Sequence, residues 1–223
     1  MNAVESANMS LASLAGLGES CQAEGVYTFK CLEVIPERKS EYDALFQKML
    51  ANIQNNIDVS ELEAELATFP MQEIWEDTID NVVCTVGKNL MLQTALTGSA
   101  YTVTGPYMGL ISSVGYTAVA AADTMSSHAG WTEAGSTNAP TFAARVAPSF
   151  GTASAGAIST STPVSFTMTG AGTLVGAFIT YGTGAVTTLM NTGGTLLSAG
   201  AFTGGNQPVN SGNVVQVTYS LSL

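Results

Sequence analysis

The sequence predicts a mainly β protein: an antiparallel β-sandwich, jelly-roll-like, with an α-helical hairpin inserted near the N-terminus. Three observations carry that expectation. From Tyr101 onward apolar residues alternate with Ser and Thr in short runs, and Gly-rich stretches separate the runs, the pattern of many short strands joined by turns. Between Tyr42 and Ile53 the apolar spacing changes to a helical period. Charge is also split. Residues 1–90 hold 15 of the 17 acids and 5 of the 6 bases, whereas residues 91–223 hold only Asp123, Glu133 and Arg145. An ordinary domain would be about one-quarter charged.

In chain order, Val4, Leu11, Leu14 and Leu17 fall roughly on one helical face and suggest a short amphipathic arm over residues 1–23. Val26 to Leu32 alternates as a strand, with Tyr27, Phe29 and Cys31 on one face, and Pro36 ends the extended run. Tyr42, Leu45, Phe46, Met49, Leu50 and Ile53 then line one face of a helix started by Ser40 and Asp43 and broken at Asn55-Asn56. Ser60 with Glu63 reads as a capping box opening a second helix through Leu62 and Leu66, which Phe69-Pro70 stops. Ile74 to Ile79 and Asn81 to Gly87 are extended, and Asn89 caps a helix carrying Leu90, Met91, Leu92 and Leu96, with Gly98 past its end. The expected strands after that are Tyr107–Ile111, Thr141–Val146, Pro163–Thr169, Leu174–Tyr181 and Val215–Leu221. The strands through Val26 and Cys84 belong to one β-domain, residues 24–36 and 70–223, and residues 37–69 are an insertion into it.

Several classes are excluded by counting. The net charge of −11 disfavours a nucleic-acid backbone as partner. Three Cys make an odd number and one His precludes a multi-histidine metal site. Cys31 and Cys84 are expected as free buried thiols. No run of about 20 apolar residues spans a membrane, and the N-terminus lacks the basic start of a secretory signal.

Three longer strings are distinctive: Thr85-Val86-Gly87-Lys88-Asn89-Leu90-Met91-Leu92; Gly98-Ser99-Ala100-Tyr101 running on to Gly105-Pro106-Tyr107-Met108-Gly109-Leu110; and Ser127-His128-Ala129-Gly130-Trp131-Thr132-Glu133. Together with Trp75-Glu76-Asp77-Thr78-Ile79-Asp80-Asn81 and Gly200-Ala201-Phe202-Thr203-Gly204-Gly205, they resemble a family of virion structural proteins of tailed bacteriophages, decoration or tail-fibre-like. The resemblance covers residues 24–36 and 71–223. It implies a part of a virion, assembled in the bacterial cytoplasm, and leaves its place on the particle open. Gly212-Asn213 stands where relatives usually have Gly-Asp, which weakens a metal ligand in that turn.

Candidate chemistry is thin. Asp123, His128 and nearby Ser residues lie close in sequence, but no Gly-x-Ser-x-Gly elbow raises a nucleophile, and a loop His packed beside Trp131 is the simpler reading. Glu73, Glu76, Asp77 and Asp80 read as a solvated strand end, with Glu76 and Thr78 on one face and Asp77 and Ile79 on the other. Gly170-Ala171-Gly172 lies between strands and has no helix start to cradle phosphate. No catalytic, cofactor or metal residues are assigned.

After Lys88 the chain has no Lys, so its hydroxyl-rich strand edges lack the usual guards against association. The expected function is therefore structural: an oligomeric capsid decoration or cement protein, or alternatively a tail-fibre, adaptor or receptor-binding component. The expected partners are further copies of itself and the major capsid or tail proteins, with host glycan added in the tail case. The candidate contact surface is Tyr42, Phe46, Met49, Leu50 and Ile53 on the helix face, with Trp131.

Overall fold

The computed structural model describes residues 23–96 and 104–222. The expected arm, apart from its last residue, and Gly98 fall outside these. The strands are β1 (Glu24–Val34), β2 (Met71–Val83), β3 (Tyr107–Ser112), β4 (Thr132–Glu133), β5 (Ala157–Ser159), β6 (Val164–Thr167), β7 (Gly172–Tyr181), β8 (Thr195–Ala201), β9 (Gln207–Val209) and β10 (Val214–Ser222). The helices are α1 (Lys39–Gln54), α2 (Ser60–Leu66) and α3 (Thr85–Leu96), with a 3-10 turn at Pro36–Arg38. The fold is mainly β, and every strand pair is antiparallel.

The strands form a path in the order β4-β3-β7-β8-β2-β1-β10-β5, with β6 also on β10 and β9 on β7. β2 joins the two ends of the path: Met71 to Asn81 pair with β1, whereas Val82 and Val83 pair with β8. One core takes side chains from both ends, Tyr27, Phe29, Val217 and Tyr219 from β1 and β10, and Met108, Leu110, Leu174 and Ile179 from β3 and β7. The hydroxyl oxygens of Tyr27 and Ser198 lie 2.7 Å apart across it. Alternation explains these placements, because Tyr27, Phe29 and Cys31 share the buried face of β1 and Val215, Val217 and Tyr219 that of β10.

β7 departs from simple alternation. Leu174, Ala177 and Ile179 enter the shared core, while Val175 and Phe178 enter a second cluster with Cys84, Met125, Trp131 and Leu196. The parity changes because Gly176 pairs with Ile111 and Leu174 with Ser112, leaving Val175 as an extra residue. Both faces of β7 are thus covered. Gly109 on β3 makes room for this packing, since a Cβ there would lie 2.5 Å from the Phe178 ring.

Three local expectations need correction. Thr141–Val146 is not a strand. Thr141 bridges Gly170, Arg145 donates its N–H to Thr187 and Val146 bridges Met108, so its backbone partners lie on three different segments. α3 begins at Thr85 rather than after Asn89. The Cys84 N–H bonds the Leu197 carbonyl and the Cys84 carbonyl accepts Lys88 N–H, which ends the strand and opens the helix. Gly87 then lies against β8, where a Cβ would come 2.7 Å from the Leu197 oxygen. Neither of the first two helices uses its expected cap. Lys39 N–H bonds the Pro36 carbonyl, placing Ser40 inside α1. Ser60 is the first residue of α2, and its N–H donates to Asp58 Oδ1 at 2.9 Å. That bond holds the Asp58 carboxyl below its ordinary range.

The hairpin joins two paired strands. The Ile35 N–H donates to the Pro70 carbonyl at 3.1 Å, closing its neck. It has its own cluster: Val34, Tyr42, Phe46, Met49, Leu62, Leu66 and Phe69. Tyr42 and Phe46 stack at 5.8 Å, and Phe69 meets Tyr42 edge-on at 5.3 Å.

Candidate functional site

The expected contact surface is mostly covered by the chain itself. Tyr42, Phe46 and Met49 are buried in the hairpin cluster, and Tyr42 donates its hydroxyl to the Gly212 carbonyl at 3.1 Å. Leu50 is half-buried, and Ile53 alone of the five is 47 % exposed. The periodicity that marked this face as apolar marked it for intramolecular burial. Trp131 is also buried, so its indole offers no surface to a partner.

Where α1 and α2 face β6, β10 and the 142–146 segment, a cleft of about 540 Å³ remains. Met49, Ile53, Leu66, Val146 and Phe166 form its apolar wall, and Ser165, Thr167 and Gln216 supply hydroxyl and amide groups. Glu63 and Arg145 also line it. The Arg145 guanidinium is already engaged, which leaves the cleft suited to apolar contact.

Asp123, His128 and Trp131 do come together, in a structural arrangement. The His128 and Trp131 rings stack with centroids 3.9 Å apart, and His128 Nδ1 lies 3.0 Å from the Trp131 carbonyl. Asp123 Oδ2 accepts both the Trp131 indole N–H and the Ala120 N–H, each at 2.9 Å. The carboxylate thus fixes the indole, and the His lies flat on it as the sequence suggests.

Glu133 and Arg145 were not singled out as partners by sequence reasoning. They form a buried two-point ion pair, with Arg145 Nε to Oε1 and Nη2 to Oε2 both at 2.8 Å. Glu133 Oε2 also accepts Met190 N–H at 2.6 Å, and Arg145 Nη2 donates to the Asn191 carbonyl at 2.7 Å. The pair therefore pins the 186–191 loop, including Met190 at φ 60°. All three charged residues between 104 and 222 are buried, so the described exterior of that stretch carries no charged side chain.

The acidic run on β2 has a place in the topology. Among the described residues no strand pairs with the other side of β2 from Met71 to Asn81. The exposed Glu73, Glu76 and Asp80 stand along this open edge, where charge discourages further strand pairing. Lys30 of β1 bonds Glu73 and Glu76 at 2.9 and 3.3 Å, which raises its pKa. The premise of unguarded edges after Lys88 is corrected as well. The path ends in strands of two and three residues, β4 and β5, too short to template another chain.

Cys31 and Cys84 are free and buried, and burial pushes both thiols up to about 12. Asn213 closes its own turn, Oδ1 accepting Asn210 N–H at 2.7 Å. Among the described residues no group of three or more His, Cys, Asp or Glu is placed to hold a metal, and no helix is long and apolar enough to cross a membrane. Compared with protein-family models, curated proteins and solved structures, the chain matches none.

Proposed function

We propose that the chain is a structural subunit of a tailed-bacteriophage particle, an oligomeric capsid decoration protein that binds its own copies and the major shell protein. In this reading the strand path is a jelly-roll-like sandwich and the hairpin an appendage to it. The observation that carries the proposal is the charge-free exterior of residues 104–222, built mainly from Ser, Thr, Gly and Ala with every charge drawn inside. Such a surface loses little side-chain entropy and desolvates no ion when a neighbour covers it. The sequence resemblance supports the same reading independently. The acidic open edge of β2 fits it too, because an assembling subunit must prevent strand-edge pairing while permitting face contacts.

The test is stoichiometry in purified particles. Quantitative mass spectrometry should find this chain at a copy number comparable to that of the shell protein. A small fraction of that number would move it to the tail, and its absence from particles would overturn the reading.

A further inference from the structure

β6 has a free edge. On one side it pairs with β10, Thr167 to Val164 against Val214 to Val217. Just past its end, Met168 N–H donates to the Asn213 carbonyl and the Met168 carbonyl accepts Gly212 N–H. Met168 thus turns its backbone groups toward β10. That direction alternates along a strand. Phe166 shares the β10 side, whereas Ser165 and Thr167 turn their N–H and C=O groups away, as Thr169 does in donating to the Thr141 carbonyl. Among the described residues neither Ser165 nor Thr167 has a backbone partner on that side. The neighbouring segment explains why. Thr141 is tied to Gly170, and Ser149 and Gly151 are tied to Ser161 and Ser159. Between those ties the Arg145 side chain is drawn inward to Glu133, its N–H bonds Thr187, and Val146 exchanges two bonds with Met108. The stretch that would pair with β6 therefore bows away, and the gap opens into the cleft of about 540 Å³ beside the hairpin. Ser165 and Thr167 line that cleft together with Met49, Ile53, Leu66 and Val146.

We propose that this cleft is the docking site of the chain's own N-terminal segment, Ser6 to Leu14, added to β6 as a short antiparallel strand. The proposal goes beyond the virion reading and does not depend on it. Reach comes first. Residues 1–22 lead directly into β1 at Glu24, opposite Ser222, whereas Cys31 lies opposite Val215, the partner of Phe166. The cleft is therefore about 23 Å along the sheet and, with β10 between β1 and β6, about 10 Å across it. An extended chain covers that distance in about eight residues, which brings the segment ending near Leu14 to the cleft. Running from there toward Glu24, the segment is antiparallel to β6, like every other strand pair of the fold. Composition comes second. Ser6 to Leu14 holds no charged residue and no Pro, so it enters a cleft whose only cation, Arg145, is already bound to Glu133, and each of its N–H groups can donate. Extended, Met9 and Leu11 share one face and can pack on Met49, Ile53 and Leu66. A helical segment would satisfy its own backbone and leave Ser165 and Thr167 unpaired, which is why the docked form is the extended one. The tether favours the chain's own segment over a neighbour's, because it holds the local concentration in the millimolar range.

Residue-resolved amide hydrogen exchange of the full chain tests this. In the wild type the Ser165 and Thr167 amides should be protected, although nothing among the described residues accepts from them. In the variant Met9→Asp with Leu11→Asp both should exchange at least about tenfold faster, while the Phe166 amide, which faces β10, keeps its rate and reports that the strand is intact. Ile53→Asp, on the cleft wall, should speed the same two amides, and Ile57→Asp, an exposed hairpin site that does not line the cleft, should not. Protection should be the same at about 10 and 500 µM, as a tethered contact requires. Wild-type Ser165 and Thr167 amides that exchange like open chain, or protection that survives the double variant, overturns the proposal. Protection that appears only at the higher concentration also overturns it, by assigning the site to the segment of a second copy.

Discussion

The helical hairpin and the strand-rich stretch from 104 to 222 place their charge in opposite ways. Between residues 35 and 70 there are ten charged residues, none of them buried. Arg38 pairs with Glu41 at exposed positions, and Lys39 with Asp43 and Glu33 at half-buried ones, all open enough for solvent to screen the attraction. Between 104 and 222 there are three charged residues, all buried and all hydrogen-bonded. In the hairpin, charge keeps a small unit hydrated. In the strand-rich stretch, charge is an internal fastener, and the exterior is left neutral. The difference teaches that low charge content and a neutral surface are separate properties, and this chain has both over the same residues.

The comparison is broken most severely by deletion. Removing 214–223 takes out β10, which lies between β1 on one side and β5 and β6 on the other. Val215, Val217 and Tyr219 each contribute roughly 1.5–3 kcal/mol by burial, against a typical total of about 5–15. The truncated chain should fail to fold, seen as loss of near-ultraviolet circular dichroism. Replacing 36–69 by a short Gly-Ser link should leave a cooperatively melting β-body, because the neck is already closed at Ile35 and Pro70. An unfolded product would make the hairpin part of the core.

Next comes the fastener itself. Arg145→Met strands Glu133 in the interior and should cost about 3–5 kcal/mol in urea unfolding. Glu133→Leu combined with Arg145→Met should recover part of that loss. A cost near zero for the single variant would place the pair among ordinary surface pairs and erase the contrast.

A third effect separates interior from exterior by pH. Unfolded thiols titrate near 8.5, whereas Cys31 and Cys84 stay protonated to about 12 in the fold because they are buried. Between about pH 8.5 and 12 the unfolded chain therefore releases protons that the folded chain retains, and stability falls as pH rises. Buried Tyr27 and Tyr219, also pushed up mainly by burial, act in the same direction. The urea midpoint should drop between about pH 8 and pH 10.5, and less so in a Cys31→Ala, Cys84→Ala variant.

The smallest effect belongs to the hairpin's surface. Arg38→Ala removes the pair with Glu41 and should move the melting temperature by no more than about 1–2 °C.

Much of this was legible in the sequence because two periodicities carry it. Alternation placed Tyr27, Phe29, Cys31, Val215, Val217 and Tyr219 on inward faces, and the helical period found α1. Alternation also separated Glu76 from Asp77 on β2. What could not be read was whatever depends on distant partners. The α1 face is apolar whether it is covered by its own chain or by another, so periodicity could not say that Tyr42 would reach Gly212. The Glu133–Arg145 pair spans a loop, and its anchors at 186–191 are backbone groups with no sequence signature. The bulge at Val175 and the early start of α3 at Thr85 arise from pairing with β3 and β8, and local propensity is silent on both. Leu92 and Leu96 on α3 are exposed, and this did have a signal: Leu90, Met91 and Leu92 are consecutive, too wide an apolar arc for one buried stripe.

The central claim is that the chain associates through its neutral surface rather than through its charge. Sedimentation velocity of the unmodified chain at about 0.05 M and 1 M NaCl tests it directly, since the higher salt shortens the screening length to about 3 Å. Association held or strengthened at high salt is the predicted result, because screening relieves repulsion between copies of charge −11 and leaves apolar contact intact. Association that disappears at high salt would contradict the account and place the contact on the charged hairpin and the β2 edge.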